Sequence, residues 1–455
     1  MNKIKSDINI LLSNKKDSWI ASITKYPERI LPVAFFLLCL MGSILLSLPF
    51  ATTKGIPFVD SVFTAVSAVC VTGLVVLDTG KDFTDLGQFI ILLLIQVGGL
   101  GIMSFTSIVF ILLGKRMSLS QEKAARSIFD AESQDEIKKS LKLIFKFTFT
   151  AEFIGACILT ACFVSTEGSF GNALKQGVFT AISAFCNAGF FLKSTSFISY
   201  QTNPVILYTT SFLMVFGGIS PAFSVMLPNL LKGKKLSPMA FLVFNTTLAL
   251  ILFGTLFFYM FEYSGVLNGM NIIDKLNNSC FQSITARTAG FNSIDFSVIN
   301  AKTFLLIIIL MIIGGSPGGT AGGIKTGVVG ILFLTFYNTI CGKKNLIYNR
   351  QISEVTIQKS ITFVMGYLMV LFIVMLALFA TQTINPEMLV FEATSAIGTV
   401  GLSMGATVSL DEIGKVIIIT TMFLGRVAPA TFFCYINTKK IDSKVSYPDA
   451  KVTLT

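Results

Sequence analysis

Residues 63–73 read Phe63-Thr64-Ala65-Val66-Ser67-Ala68-Val69-Cys70-Val71-Thr72-Gly73, and the stretch returns three more times in the chain. The second copy begins Phe179-Thr180-Ala181-Ile182-Ser183-Ala184 and closes on Asn187-Ala188-Gly189. The third is Phe281-Gln282-Ser283-Ile284-Thr285-Ala286, then Arg287-Thr288-Ala289-Gly290, one residue shorter before its glycine. The fourth begins Phe391-Glu392-Ala393-Thr394-Ser395-Ala396 and closes on Thr399-Val400-Gly401. The closing glycines (positions 73, 189, 290 and 401) stand 116, 101 and 111 residues apart. After each comes a second signal, Gly98-Gly99, Gly217-Gly218, Gly314-Gly315 and Gly425-Arg426, at offsets of 25, 28, 24 and 24 residues. One such match is ordinary small-residue helix packing. Four in register are an internal repeat, and a repeat sets the architecture.

Each copy lies between two long apolar runs. A membrane-crossing helix needs about 20 apolar residues, and windows free of charge occur at 30–50, 88–113, 205–231, 238–261, 303–324 and 360–381. The runs 143–164, with Lys146 and Glu152, and 416–436, with Arg426, qualify despite internal charge. Lys146 is expected near a helix end and Glu152 packed inside the protein. The intervening repeated segments, about a dozen residues long, suit re-entrant pieces better than full crossings. The polar first 29 residues carry Lys3, Lys5, Lys15, Lys16, Lys25 and Arg29, so 30–50 reads as an anchor and not as a cleaved signal.

The totals agree. Of 455 residues, 53% are hydrophobic and 13% charged, where a soluble domain carries about 25% charge. An ordinary cytosolic enzyme is excluded. With 0 histidines, so is any histidine triad, metal site or proton relay. The 8 cysteines form no C-x-x-C pair and lie mostly in apolar runs, as small hydrophobes.

The repeat suits a cation. A short helix that enters the membrane and stops leaves unpaired carbonyls and partial negative charge at its end. A return segment with inward carbonyls is tolerated where it lines a wet cavity. Glycine admits positive φ and lets backbone approach an ion, and stacked carbonyls replace a monovalent cation's hydration shell. No ring of carboxylates accompanies the glycines to suggest a hard divalent ion.

At these residues the chain resembles the Trk/Ktr/HKT superfamily of potassium transporters, most of all the bacterial Ktr-type membrane subunit. The resemblance runs from about Ile30 to Tyr447-Pro448-Asp449, and Thr285-Ala286-Arg287-Thr288-Ala289-Gly290-Phe291-Asn292-Ser293 is its most specific piece. It implies an all-α integral membrane protein: four tandem M1–P–M2 units, eight transmembrane helices plus four re-entrant pore helices, around one central pore. The units would be 30–113, 143–231, 238–341 and 360–436, with cytoplasmic segments 1–29 and 437–455. The filter would be Val71, Thr72 and Gly73; Asn187, Ala188 and Gly189; Thr288, Ala289 and Gly290; Thr399, Val400 and Gly401. Glycine at all four filter positions goes in that family with potassium, and serine in the first unit with sodium.

Residues 314–323 read Gly314-Gly315-Ser316-Pro317-Gly318-Gly319-Thr320-Ala321-Gly322-Gly323, followed by Ile324-Lys325-Thr326. A phosphate loop would need Gly-Lys-Thr between a strand and a helix, and has neither here. Six glycines and a proline exceed what close packing alone calls for, since each weakens a helix. The remaining reading is a broken helix beneath the filter, and the resemblance implies that the loop 314–326 is a mobile gate. Arg426 inside an apolar run costs at least about 2.5 kcal/mol. It either pairs with Glu152 or a helix-end carbonyl, or faces the pore below the filter; the family carries an arginine at the matching place. Gating is therefore assigned to the loop, Lys325 and Arg426 together. Arg287 is expected to brace the filter loops.

Charge orients the spans. With the N-terminus in the cytoplasm, 1–29, 114–142, 232–237, 342–359 and 437–455 hold 24 Lys and Arg against 11 Asp and Glu, a net +13. The opposite face holds 7 against 12, a net −5, which concentrates cations at the filter mouth. No G-x-G-x-x-G follows a strand pattern, so the chain carries no nucleotide domain. The basic face suits either a soluble partner or anionic lipid, not nucleic acid. The resemblance implies a homodimer on a cytosolic ring of nucleotide-binding RCK/KTN-type regulatory subunits. The expected function is potassium uptake across a bacterial cell membrane, with sodium as an activating or carried ion and no organic cofactor. A sodium-coupled secondary transporter of another solute is the alternative, though such proteins usually show two large inverted repeats. An enzyme is not expected, for want of a carboxylate–nucleophile pair.

Overall fold

In an apolar surrounding a backbone must satisfy its own hydrogen bonds, and the described parts of the apolar runs are helical, with one break at 313–325. The computed structural model describes residues 27–100, 134–219, 237–316, 319–347 and 350–438. The first quarter comprises α1 (Pro27–Ser47), α2 (Phe58–Val69) and α3 (Asp85–Gly99). The second comprises α4 (Gln134–Glu167), α5 (Phe170–Cys186) and α6 (Pro204–Gly218). The third has α7 (Pro238–Glu262), α8 (Ile272–Thr285), α9 (Ala301–Ile312) and α10 (Thr326–Ile340), and a small hairpin, β1 (Leu346–Ile347) with β2 (Arg350–Gln351), follows it. The fourth has α11 (Glu354–Thr381), α12 (Pro386–Gly398), the turn-like α13 (Ala406–Ser409) and α14 (Glu412–Thr438).

The starts of these helices are written locally. Asn203, Ser237 and Asn385 each accept a backbone N–H from the first turn and are followed by a proline, whose missing N–H no helix start requires. Among the described residues, 142–166, 238–262 and 354–381 are long and apolar enough to cross a membrane, by length and composition. The predicted windows 88–113 and 205–231 run past Gly99 and Gly218 into residues outside those described, as do the segments 1–26 and 439–455. Lys146 lies well inside α4, not near its end, because the helix begins at Gln134. The window 303–324 is not one helix. α9 stops at Ile312, Ile313 pairs in parallel with Ile324, and α10 starts at Thr326.

Each short helix packs within its own quarter and also on the second long helix of the quarter before it: α5 on α3, α8 on α6, α12 on α9. The set closes because α2 packs on α14. Lys415 Nζ and Asp60 Oδ1, 2.6 Å apart, pin that closure. The phenylalanine that opens every repeat, Phe63, Phe179, Phe281 or Phe391, is buried to 3% exposure or less. Large apolar side chains such as Phe153, Leu252, Met365 and Phe372 are exposed on the outer faces of the long helices. Between helices in lipid the gain is close packing and hydrogen bonding, not escape from water. The centre of the ring is accordingly rich in buried small polar residues, Ser67, Ser183, Thr285 and Ser395 among them.

Candidate ion-binding site

As each short helix ends, the chain turns to positive φ: +56° at Val71, +58° at Asn187, +74° at Thr288 and +49° at Thr399. Two residues on, φ is positive again, at +89°, +70°, +76° and +90° for Gly73, Gly189, Gly290 and Gly401. A residue of ordinary negative φ separates each pair. Such alternation sets successive N–H groups on one side of the chain and carbonyls on the other. Left-handed backbone is tolerable for asparagine, but Val71, Thr288 and Thr399 are β-branched. Each stores about 1–3 kcal/mol of strain, which persists only where the surroundings over-determine the backbone.

The four segments form a closed ring. A methyl placed on Gly73 would lie 2.5 Å from the carbonyl oxygen of Ala188, one on Gly189 2.9 Å from that of Ala289, and one on Gly290 2.5 Å from that of Val400. One on Gly401 would collide with the carbonyl of Thr72, which completes the circuit. Glycine is therefore required twice at each position, by φ and by the neighbouring backbone. The structure thus brings the twelve predicted filter residues together.

Hydroxyls hold the ring in shape. Ser67 Oγ accepts the Gly73 N–H at 3.1 Å and donates to the Leu74 carbonyl at 2.7 Å. Ser395 Oγ accepts the Gly401 N–H at 3.1 Å, Thr285 Oγ1 accepts the Phe291 N–H at 2.8 Å, and Ser183 Oγ donates to the Phe190 carbonyl at 2.8 Å. Sequence reasoning passed over these four as packing residues. The signal was a hydroxyl at the fifth place of every repeat. Two quarters add a second tie: Gln282 Nε2 donates to Ser293 Oγ at 2.9 Å, and buried Glu392 accepts from Ser403 and from Thr407 at 2.7 Å. The double small-residue signal also finds its reason. Any side chain on Gly98, Gly217 or Gly425 would strike the carbonyl of Val69, Phe185 or Ile397, at or beside the end of that quarter's own short helix.

The glycine-rich loop lies against this ring. Pro317 and Gly318 are outside the described residues. Gly314 N–H donates to the Ile324 carbonyl, Ser316 N–H to Gly218 and Thr326 N–H to Gly315, each at 3.0 Å. Gly319 N–H donates to Ser316 at 3.1 Å, and Lys325 Nζ folds back on the Ala321 carbonyl. A side chain on Gly315 would meet Ala321, and one on Gly323 would meet Gly314, so the two limbs of the loop are in contact. One on Gly322 would collide with Thr399 Oγ1. The loop thus reaches from the second quarter to the fourth, whose glycines sit opposite each other in the ring.

Arg426 joins it there. The guanidinium donates to the Thr320 carbonyl and, from Nη2, to the carbonyl of Gly98 at 2.8 Å. Of the two alternatives for its partner, the helix-end carbonyl is present and Glu152 is not: Glu152 is buried and accepts from Gln96 Nε2 at 3.1 and 3.2 Å. Arg287, buried just past the end of α8, lines a small cavity with Asn187, Thr247 and Gly315.

The sequence family described as TrkH, Cation transport protein, matches residues 24–439. The chain is 37% identical over 445 residues to the Ktr system potassium uptake protein B of Bacillus subtilis (strain 168), covering 96% of this chain and 99% of that protein. It is 33% identical over 438 residues to the potassium/sodium uptake protein NtpJ of Enterococcus hirae, covering 94% and 97%. Among solved structures it is similar to the potassium transporter TrkH from Vibrio parahaemolyticus, with a TM-score of 0.68 over 91% of this chain and 84% of that one. At 17% identity that likeness speaks for the fold alone.

Proposed function

The chain belongs to the TrkH cation transport protein family, and on that premise we propose that it takes up potassium across the bacterial cell membrane as the ion-translocating subunit of a Ktr-type system. The observation that carries the reading is the closed glycine ring, in which each of four positions abuts the next one's carbonyl. In this reading the carbonyls of the twelve filter residues replace the hydration shell of a dehydrated potassium ion, and the four helix ends add partial negative charge. The loop 314–326 and Arg426 close the path on the cytoplasmic side. A fixed positive charge there raises the barrier to a cation, and withdrawal of the loop lowers it.

Four M1–P–M2 units, 30–113, 143–231, 238–341 and 360–436, then surround one pore, with both termini in the cytoplasm as the charge asymmetry directs. The basic inner face meets anionic lipid and, in a homodimer, a cytosolic nucleotide-binding regulatory ring. Sodium is assigned the role of second ion, a reading that the relative named for both ions supports. The work is transport, not catalysis, and calls for no organic cofactor in this chain.

The test is rubidium flux into liposomes holding the purified chain, with and without sodium. The expected result is uptake that potassium competes away. Absence of uptake in both conditions refutes the reading.

A further inference from the structure

We propose that Asn187 is a latch between filter and gate, so that ion selection and loop withdrawal are coupled through one hydrogen bond. The inference rests on the transport reading above. Asn187 caps α5 at φ +58°, and its Nδ2 donates to Thr320 Oγ1 at 2.8 Å, both groups being buried.

The corresponding positions of the other quarters are Val71, Thr288 and Thr399. Valine offers no polar group, and the Thr288 and Thr399 hydroxyls make no hydrogen bond among the described residues. The latch is therefore a property of one quarter, not of the repeat. Asparagine suits the site twice, since it accepts left-handed backbone and carries a donor long enough to reach the loop.

Thr320 is held from three sides. Its N–H donates to the Gly217 carbonyl at 3.3 Å, its carbonyl accepts from Arg426, and its hydroxyl accepts from Asn187. Only the last bond ends on a filter segment. The loop cannot leave without breaking it, and the Asn187 backbone then loses a support for its left-handed conformation.

The experiment compares Thr320→Val, Asn187→Leu and the double variant in liposomes holding the full chain, scoring rubidium uptake and the rubidium-to-sodium ratio. Each single change is expected to raise uptake and to lower the ratio by about threefold, with the double variant no further changed, as for two groups sharing one interaction. Thr320→Ser, which keeps the hydroxyl, is expected to return the ratio toward the parent value. The proposal is overturned if Thr320→Val alters uptake with the ratio intact, or if the two changes add. Should Asn187→Leu fail to fold, the ratios of Thr320→Val and Thr320→Ser decide alone. A parent chain that takes up no rubidium would overturn the transport reading instead, a distinguishable failure.

Discussion

Arg426 and Gly98 are 328 residues apart in sequence, yet Arg426 Nη2 donates to the Gly98 carbonyl at 2.8 Å. The same guanidinium holds Thr320, so one side chain of the fourth quarter grips the first quarter and the loop of the third.

Arg426→Gln removes the charge and shortens the reach. Hydrogen bonds to a charged group are worth about 1.5–3 kcal/mol, enough to shift a closed–open equilibrium by about tenfold or more. Rubidium uptake is expected to rise by that order, measured as initial rate in liposomes. Unaltered flux would remove Arg426 from the gate.

The glycines allow a matched comparison. Gly55 and Gly401 both have positive φ, +69° and +90°, but Gly55 has open space around its α-carbon where Gly401 faces the Thr72 carbonyl. Gly55→Ala should cost only the left-handed penalty of about 1–2 kcal/mol, visible as a lower Tm with transport retained. Gly401→Ala should abolish selective uptake. Gly290→Ser should lower the rubidium preference over sodium by about tenfold, the equivalent of about 1.4 kcal/mol; an unchanged preference would undo the filter assignment.

Removing a brace should loosen selection without emptying the path. A hydrogen bond of this kind contributes about 0.5–1.5 kcal/mol, so Ser67→Ala and Ser395→Ala should each reduce the rubidium-to-sodium ratio by about fivefold. Ser43, whose hydroxyl among the described residues bonds the Cys39 carbonyl in its own helix at 2.7 Å, is the control. Ser43→Ala should leave the ratio where it was.

The ring closure can be probed by stability. Lys415 and Asp60 have side chains only 18% and 8% exposed, and removing one partner of a buried pair costs about 3–5 kcal/mol because the other charge is stranded. Lys415→Met or Asp60→Asn should lower the Tm in detergent, and the double replacement should recover most of the loss. Equal losses in all three variants would mean that the contact is solvated.

The parts of this molecule that repeat are the parts its sequence discloses. Four phenylalanines, the four ring glycines and the double small residues recur at near-constant offsets, and local rules, left-handed φ above all, explain their residue types. The break at 313–325 was legible for a different reason, since six glycines and a proline are incompatible with an uninterrupted helix. The cross-quarter contacts were not legible. Asn187 with Thr320, Lys415 with Asp60 and Gln96 with Glu152 join residues 133, 355 and 56 positions apart, and no periodicity relates their partners. Arg426 lay between the two, because its charge demanded a partner that the chain did not name.

A ring assembled from identical subunits must present every change on all its sides at once, as symmetry requires. Here the four sides are one covalent strand, and among the described residues the third interrupts its helix with a glycine-rich loop. Each side can therefore diverge alone. On the gating reading proposed above, the barrier is a door hung on one jamb, with Arg426 and Asn187 as separate catches on two others, and that reading has a signal act on one quarter of the circumference to move it.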